Sequence, residues 1–118
     1  LRDHYKLKQF GVILTDSHTT PLRLGVTGIA LSYWGFEGVK SKVDEPDLYG
    51  RKLKFTHINV VDALSTAAVL VMGEAGECTP LALLSIDGLK FVDVVSRSEV
   101  RIPLENDLYY PLLKGSIE

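Results

Sequence analysis

The amino-acid sequence predicts an α+β domain in which a mixed sheet of about five strands packs on one long, mostly buried helix, with short helices at the termini. Three observations carry that expectation. Apolar residues at helical spacing fill Asn59 to Met72, and Gly73 and Gly76 follow them as a stop signal. Several short runs of branched and aromatic residues are bounded by Gly, Pro and Asp, the punctuation of strands. At 118 residues, 46% hydrophobic and 24% charged, the chain has the composition of one globular domain spanning 1–118.

Each element has its own reason. LRDHYKL, with Leu1, Tyr5 and Leu7 on one side, reads as the last turns of an amphipathic helix; because the chain opens on Leu1 rather than Met, the expectation is a part of a longer polypeptide or a processed product. Phe10 to Leu14 is an apolar run suited to a strand buried on both faces, with Asp16 at its C-terminal end. Arg23 to Trp34 contains Gly25 and Gly28, each of which weakens a helix by about 1 kcal/mol, so a bent or bulged strand is predicted there. Gly35 to Gly50 reads as a polar surface loop, and Lys52 to His57 alternates like a strand. In the helix, Val60, Val61, Leu64, Ala67, Ala68, Val71 and Met72 cover most of the circumference, leaving Asn59, Asp62, Ser65 and Thr66 on a narrow polar stripe. Pro80 to Ile86 and Lys90 to Val95 read as a hairpin turning at Asp87-Gly88. Pro103 to Leu113 predicts a short terminal helix interrupted at Pro111.

Composition also excludes functions. A formal net charge of −2 gives no global attraction to nucleic acid or to an anionic membrane surface, so any anion site must be local. The single cysteine, Cys78, excludes an intramolecular disulfide framework and fits a reducing cytoplasm. The longest apolar run, Ala67 to Met72, falls far short of the roughly 20 residues that span a bilayer.

Two stretches can carry chemistry. Asp16-Ser17 pairs a carboxylate with a hydroxyl, a donor set for magnesium or manganese, which take oxygen ligands and keep only one or two protein carboxylates. The same Thr-Asp-Ser is also ordinary turn chemistry. VMGEAGECTP, Val71 to Pro80, offers backbone N–H groups to phosphate and the Glu74 carboxylate to a cation. A plain helix stop at Gly73 and Gly76 explains that stretch equally, and the dipole at a helix C-terminus opposes an anion. His18 beside the Asp-Ser pair, and Arg23, Arg51 and Lys52, are further phosphate-contact candidates or solvated side chains.

Taken as an ordered series, these segments resemble the GTP-dependent gamma-glutamyl ligases that build the tail of the deazaflavin coenzyme F420. GVILTDS is similar to the family's strand ending in Asp-Thr or Asp-Ser; PLRLGVTGIALSYWGF to its Arg, Gly and Gly-hydrophobic-Ala segment; and PDLYGRKLKFT to Asp-x-Tyr-Gly-x-x-Leu-x-x-Thr. VVDALSTAAVLVMGEAGECTPLALL matches the family helix ending in Met-Gly-Gln/Glu with its Pro-led strand, and ENDLYY resembles the acidic end.

The resemblance implies that Asp16 holds one divalent ion (Mg2+ or Mn2+), that Ser17 and Glu74 hold a second, and that Met72, Gly73, Glu74, Ala75, Gly76, Glu77, Cys78 and Thr79 line the GTP site. It implies phosphorylation of a small-molecule carboxylate acceptor by GTP, attack by the amine of L-glutamate, a homodimer and a cytoplasmic setting, with no nucleic-acid or membrane partner. No catalytic side chain is assigned. The resemblance also marks departures: Thr19-Thr20 stand where the family has Gly-Arg, Ala63 replaces an acid, and Ser41 to Asp44 replaces an Asp-Tyr-x-Gly stretch. The family's upstream half, with a nucleotide-contacting lysine and an Asp-x-x-Asn motif, is absent from these residues. The resemblance leaves two functions open, a ligase fragment and an inactive ligase-like module for nucleotide binding or assembly.

Overall fold

Helix α1 (Val60–Met72) organises the structure, a computed structural model that describes residues 1–96 and 98–116. Asn59, expected on the polar stripe of the helix, is instead its N-cap. The Asn59 side chain accepts the Asp62 N–H at 3.2 Å, while the Val60 and Val61 N–H groups both donate to the Gly38 carbonyl. Donors that a helix start otherwise leaves unpaired are thus satisfied. At the other end Gly73 takes φ +80°, a conformation that favours glycine, and its N–H donates to Val69.

Two antiparallel pairs replace the expected mixed sheet. Strands β1 (Val12–Thr19) and β2 (Val26–Trp34) form one two-stranded sheet; β3 (Val39–Ser41) and β4 (His57–Asn59) form the other. The first pair is a hairpin whose second strand carries the expected bulge. Leu14 faces Ser32 but Thr15 faces Ala30, so Leu31 is an extra residue on β2. This phase change lets Ala30 and Tyr33, three residues apart, both pack toward the helix side.

Packing of α1 on the hairpin depends on Gly28. A Cβ there would overlap the backbone of Ser65 and Thr66, so only glycine permits so close an approach of strand and helix. The same closeness buries Ser65 completely, contrary to its expected place on a polar stripe. Its hydroxyl donates to the Val61 carbonyl at 2.9 Å, which satisfies it inside the helix's own turn. The core consists of Phe36, Val61 and Leu64, with Ile13, Ala30, Tyr33, Leu84, Leu89 and Phe91 against them.

Several expectations are corrected. The helix has 13 residues and is buried on one side only: Leu70 is 85% and Val71 64% exposed, because among the described residues no layer covers the face away from the sheet. Asp16 lies inside β1 rather than at its end, since pairing continues to Thr19 opposite Val26. Within the expected surface loop Gly35 to Gly50, Phe36 is a core residue and Val39–Ser41 a strand. The strand expected at Lys52 to His57 forms instead at His57–Asn59, Lys52 making only an isolated bridge to Pro46.

The turn at Asp87-Gly88 forms, with Gly88 at φ +77°, but the runs on either side do not pair into a hairpin. Phe91 instead bridges Phe36, and the Val92 and Glu37 N–H groups donate to Gly35 and Lys90. At the N-terminus Arg2 to Lys6 is a turn, not the end of a helix. The C-terminal segment contains a 3₁₀ turn at Leu104–Asn106, α2 (Tyr110–Leu113) and a 3₁₀ turn at Lys114–Ser116; Pro111 begins α2 rather than breaking it. Among the described residues no helix is long and apolar enough to cross a membrane.

Candidate functional site

Folding brings the two chemistry-bearing stretches to one place. Thr15, Asp16 and Ser17 of β1 form one wall of an open cleft of about 490 Å³. Val69 and Met72 of α1 form another, and Gly73, Glu74, Ala75, Cys78, Thr79 and Pro80 complete the rim. The docking of α1 on the hairpin is what aligns the middle of the strand with the end of the helix. Thr66, one turn before the cleft, reinforces it: its hydroxyl lies 3.1 Å from the Gly28 carbonyl and 2.9 Å from that of Asp62.

Within the cleft the donors differ in readiness. Asp16 is exposed, and its Oδ1 accepts the Ser17 N–H at 2.8 Å. Ser17 is half-buried, and alternation along β1 puts it on the same side as Ile13 and Thr15. Glu74 is exposed on the loop. Carboxylate, hydroxyl and carboxylate are all hard oxygen donors, the chemistry that magnesium and manganese accept. Among the described residues, no group of three or more His, Cys, Asp or Glu side chains gathers closely enough to hold a metal ion.

The backbone N–H groups expected to greet phosphate are engaged otherwise. The Glu77 carboxylate folds back over Gly73 and accepts the Ala75 N–H at 2.7 Å. Hydrogen bonds from its own N–H and from that of Ala75 hold its pKa below the usual carboxylate range. Glu77 and Gly76 stand outside the cleft lining, so of the eight expected nucleotide-lining residues six line it. Cys78 faces the cleft with φ +54° and a free thiol. His18 is not part of the lining; it is half-buried in β1, and its Nδ1 has no hydrogen-bond partner.

Sequence reading missed Thr15, Val69 and Pro80. Val69 was legible, since it precedes Met72 by three residues and therefore shares its helix face.

Comparison with known proteins decides the family. The F420-0:gamma-glutamyl ligase profile matches residues 2–85, well over half of the sequence. The chain belongs to the F420-0:gamma-glutamyl ligase family. Among relatives named coenzyme F420:L-glutamate ligase, that of Methanocaldococcus jannaschii is 36% identical over 102 residues, 86% of this chain and 41% of the relative. That of Methanopyrus kandleri is 44% identical over 80 residues, 68% of this chain and 31% of the relative. The Archaeoglobus fulgidus ligase is 35% identical over 107 residues, covering 91% and 42%. The chain thus spans about two fifths or less of the length of these F420 ligases. The family match includes the whole cleft.

Proposed function

We propose that this chain contributes the metal- and nucleotide-facing cleft of a GTP-dependent ligase that joins L-glutamate by an amide bond to a carboxyl group of a coenzyme F420 precursor. The observation that supports this reading is the sharing of one cleft by Asp16-Ser17 and the Glu74 loop, two stretches far apart in sequence. Asp16, Ser17 and Glu74 are the residues that would hold magnesium or manganese. When bound, GTP and a divalent ion supply the phosphoryl group and the positive charge that activate the acceptor carboxyl.

The chain's own residues prepare the cleft for that chemistry. Asp16 spends Oδ1 on the Ser17 N–H and keeps Oδ2 for a cation. Val69 and Met72 give the cleft an apolar wall that limits water beside the donors. Thr79 Oγ1 donates to the Glu77 carbonyl and steadies the loop that carries Glu74.

Because the chain spans under half of its relatives, ligation belongs to the larger protein. Incubated alone with GTP, manganese, L-glutamate and unglutamylated coenzyme, residues 1–118 should yield no product, since part of the electrostatic stabilisation is missing. Binding is the direct test. Manganese should raise the melting temperature by linkage, and Asp16→Asn or Glu74→Ala should abolish the rise. An unchanged melting temperature in manganese overturns the reading.

A second reading, a ligase-like module that binds nucleotide or assembles without catalysis, is favoured by Thr19-Thr20 and Ala63, which stand where the family carries Gly-Arg and an acid. GTP-dependent glutamate ligation by a protein that carries the rest of the domain as well separates the two.

A further inference from the structure

We propose that the Glu77 carboxylate is an internal competitor for an anion seat on the rim of the cleft: it fills a cradle of backbone N–H groups that phosphate enters by displacing it, and while seated it shuts out free carboxylates. The inference rests on the proposed function for the choice of these two anions; the seat itself rests on the geometry of the loop.

Gly73 to Glu77 make the seat. The Ala75 N–H donates to Glu77 Oε2 at 2.7 Å, and the N–H of Glu77 itself bonds the same carboxylate. N–H groups that converge in a turn form an anion-binding concavity. Gly73 makes room for the anion, since a Cβ there would overlap the Glu77 carboxyl carbon and both of its oxygens. Gly73 and Ala75 line the cleft together with Asp16, Ser17 and Glu74, so the seat adjoins the proposed metal donors.

Its occupant is held without being trapped. Glu77 is fully exposed, and among the described residues no Lys, Arg or His pairs with it. Two N–H groups oppose its release, and water is at hand to receive it. Being joined to the loop, the carboxylate acts at an effective concentration on the order of millimolar or more, which dilute free carboxylates do not match. Phosphate brings three acceptor oxygens and more charge to the same donors. An internal occupant weakens every outside anion by the fraction of time the seat is empty; with that fraction at about a tenth, affinity falls about tenfold.

That discrimination suits the proposed reaction. A ligase of L-glutamate handles carboxyl groups on both of its joined substrates beside the phosphates of GTP, and a seat open to any anion would be filled by whichever is more abundant. A carboxylate already in place sets a threshold that phosphate passes and a free carboxylate does not. Specificity is thus obtained by opposing the wrong ligand as well as by attracting the right one.

The test compares residues 1–118 with three variants: Glu77→Ala, which empties the seat; Glu77→Gln, which keeps the side chain's shape without its charge; and Glu105→Gln, which removes one exposed charge elsewhere. Thermal unfolding should be nearly the same for all four, Glu77 and Glu105 both being exposed. Inorganic phosphate and acetate are titrated in chelator while the Ala75 amide is followed by NMR. Glu77→Ala should bind phosphate about tenfold more tightly than the wild-type chain, and should bind acetate, which the wild-type chain should not. Glu77→Gln should move in the same direction, and Glu105→Gln should match the wild type. Phosphate affinity no higher in either Glu77 variant, acetate bound equally by the wild-type chain, or an equal gain in Glu105→Gln each overturns the inference. Chelator keeps this outcome apart from the metal reading, which falls instead if manganese leaves the melting temperature unchanged.

Discussion

The two ends of α1 are held in opposite ways. At the N-terminal end every group is tied down: Asn59 and Asp62 bond each other at 2.6 Å, Asp62 Oδ1 accepts the Ala30 N–H at 2.9 Å, and Gly38 takes two helix N–H groups. At the C-terminal end a glycine stops the helix and the next seven residues, Glu74 to Pro80, are exposed. The C-terminal end lines the cleft; the anchored end does not contribute to it. If the proposed function holds, stability and binding fall to different residues around one element, the docked start of the helix and the exposed loop after its end.

Four experiments break or sharpen that contrast. The largest effect is expected where both ends depend on the same contact. Gly28→Ala places a methyl group against the backbone of Ser65 and Thr66, which cannot yield as a side chain would, and should cost about 3 kcal/mol in urea unfolding. It should also weaken any manganese-induced thermal shift, because it pushes α1 off the strand that carries Asp16. A neutral result would mean that helix and hairpin are less closely packed than described.

At the anchored end, Asp62→Ala should cost about 2 kcal/mol, because it strands the Ala30 N–H and loosens the cap residue. Asn59→Ala should cost about 1 kcal/mol. Neither should alter manganese or GTP binding. If either substitution removes binding while the fold survives, the division between the two ends is wrong.

At the open end the pattern should invert. Asp16→Asn and Glu74→Ala should each change stability in chelator by no more than about 0.5 kcal/mol, the range for exposed positions. Equilibrium unfolding with and without chelator checks this. A loss as large as that of Asp62→Ala would show the cleft carboxylates to be structural.

The smallest effect appears only in alkali. Tyr33 packs on Phe36 and donates its hydroxyl to the Glu99 carboxylate, which also accepts the Gly38 N–H at 3.0 Å. Burial, the hydrogen bond to Glu99 and the Glu99 charge all push the Tyr33 pKa above its ordinary value of 10.0. The unfolded chain therefore releases this proton first. Its contribution is complete below about pH 10 and declines as pH rises beyond that. Stability measured from pH 8 to 11 should show an alkaline slope that Tyr33→Phe reduces; an unchanged slope would remove Tyr33 from the account.

These contrasts also show what the sequence made legible. The helix could be read because its apolar periodicity and its stop at Gly73 are local, while the cap at Asn59 was missed because the residue was taken as part of the polar stripe. Convergence of Asp16, Ser17 and Glu74 on one cleft followed from resemblance, since no local pattern states which strand a helix end will meet. The bulge was foreseen between Arg23 and Trp34, but its position at Leu31 depends on register with β1. Phe36 was lost because a single apolar residue between Gly35 and Glu37-Gly38 sets no period with its neighbours. The segments around Asp87-Gly88 have strand-like composition and a real turn, yet a strand exists only through a paired neighbour, and Phe36 offers Phe91 a single bridge.

The extra residue at Leu31 has a consequence for engineering. It divides the hairpin into two stretches whose side-chain phases on β2 are set separately, one containing Tyr33, the other running from Ala30 and Gly28 past the exposed connection of Thr20 to Gly25. A graft or length change in that connection leaves Tyr33 directed toward Glu99, but it is tolerated only if Ala30 and Gly28 keep their pairing with Thr15 and Ser17, because Gly28 must stay against Ser65. Removing Leu31 instead would couple the stretches, so that any resizing of the connection would be transmitted to the core.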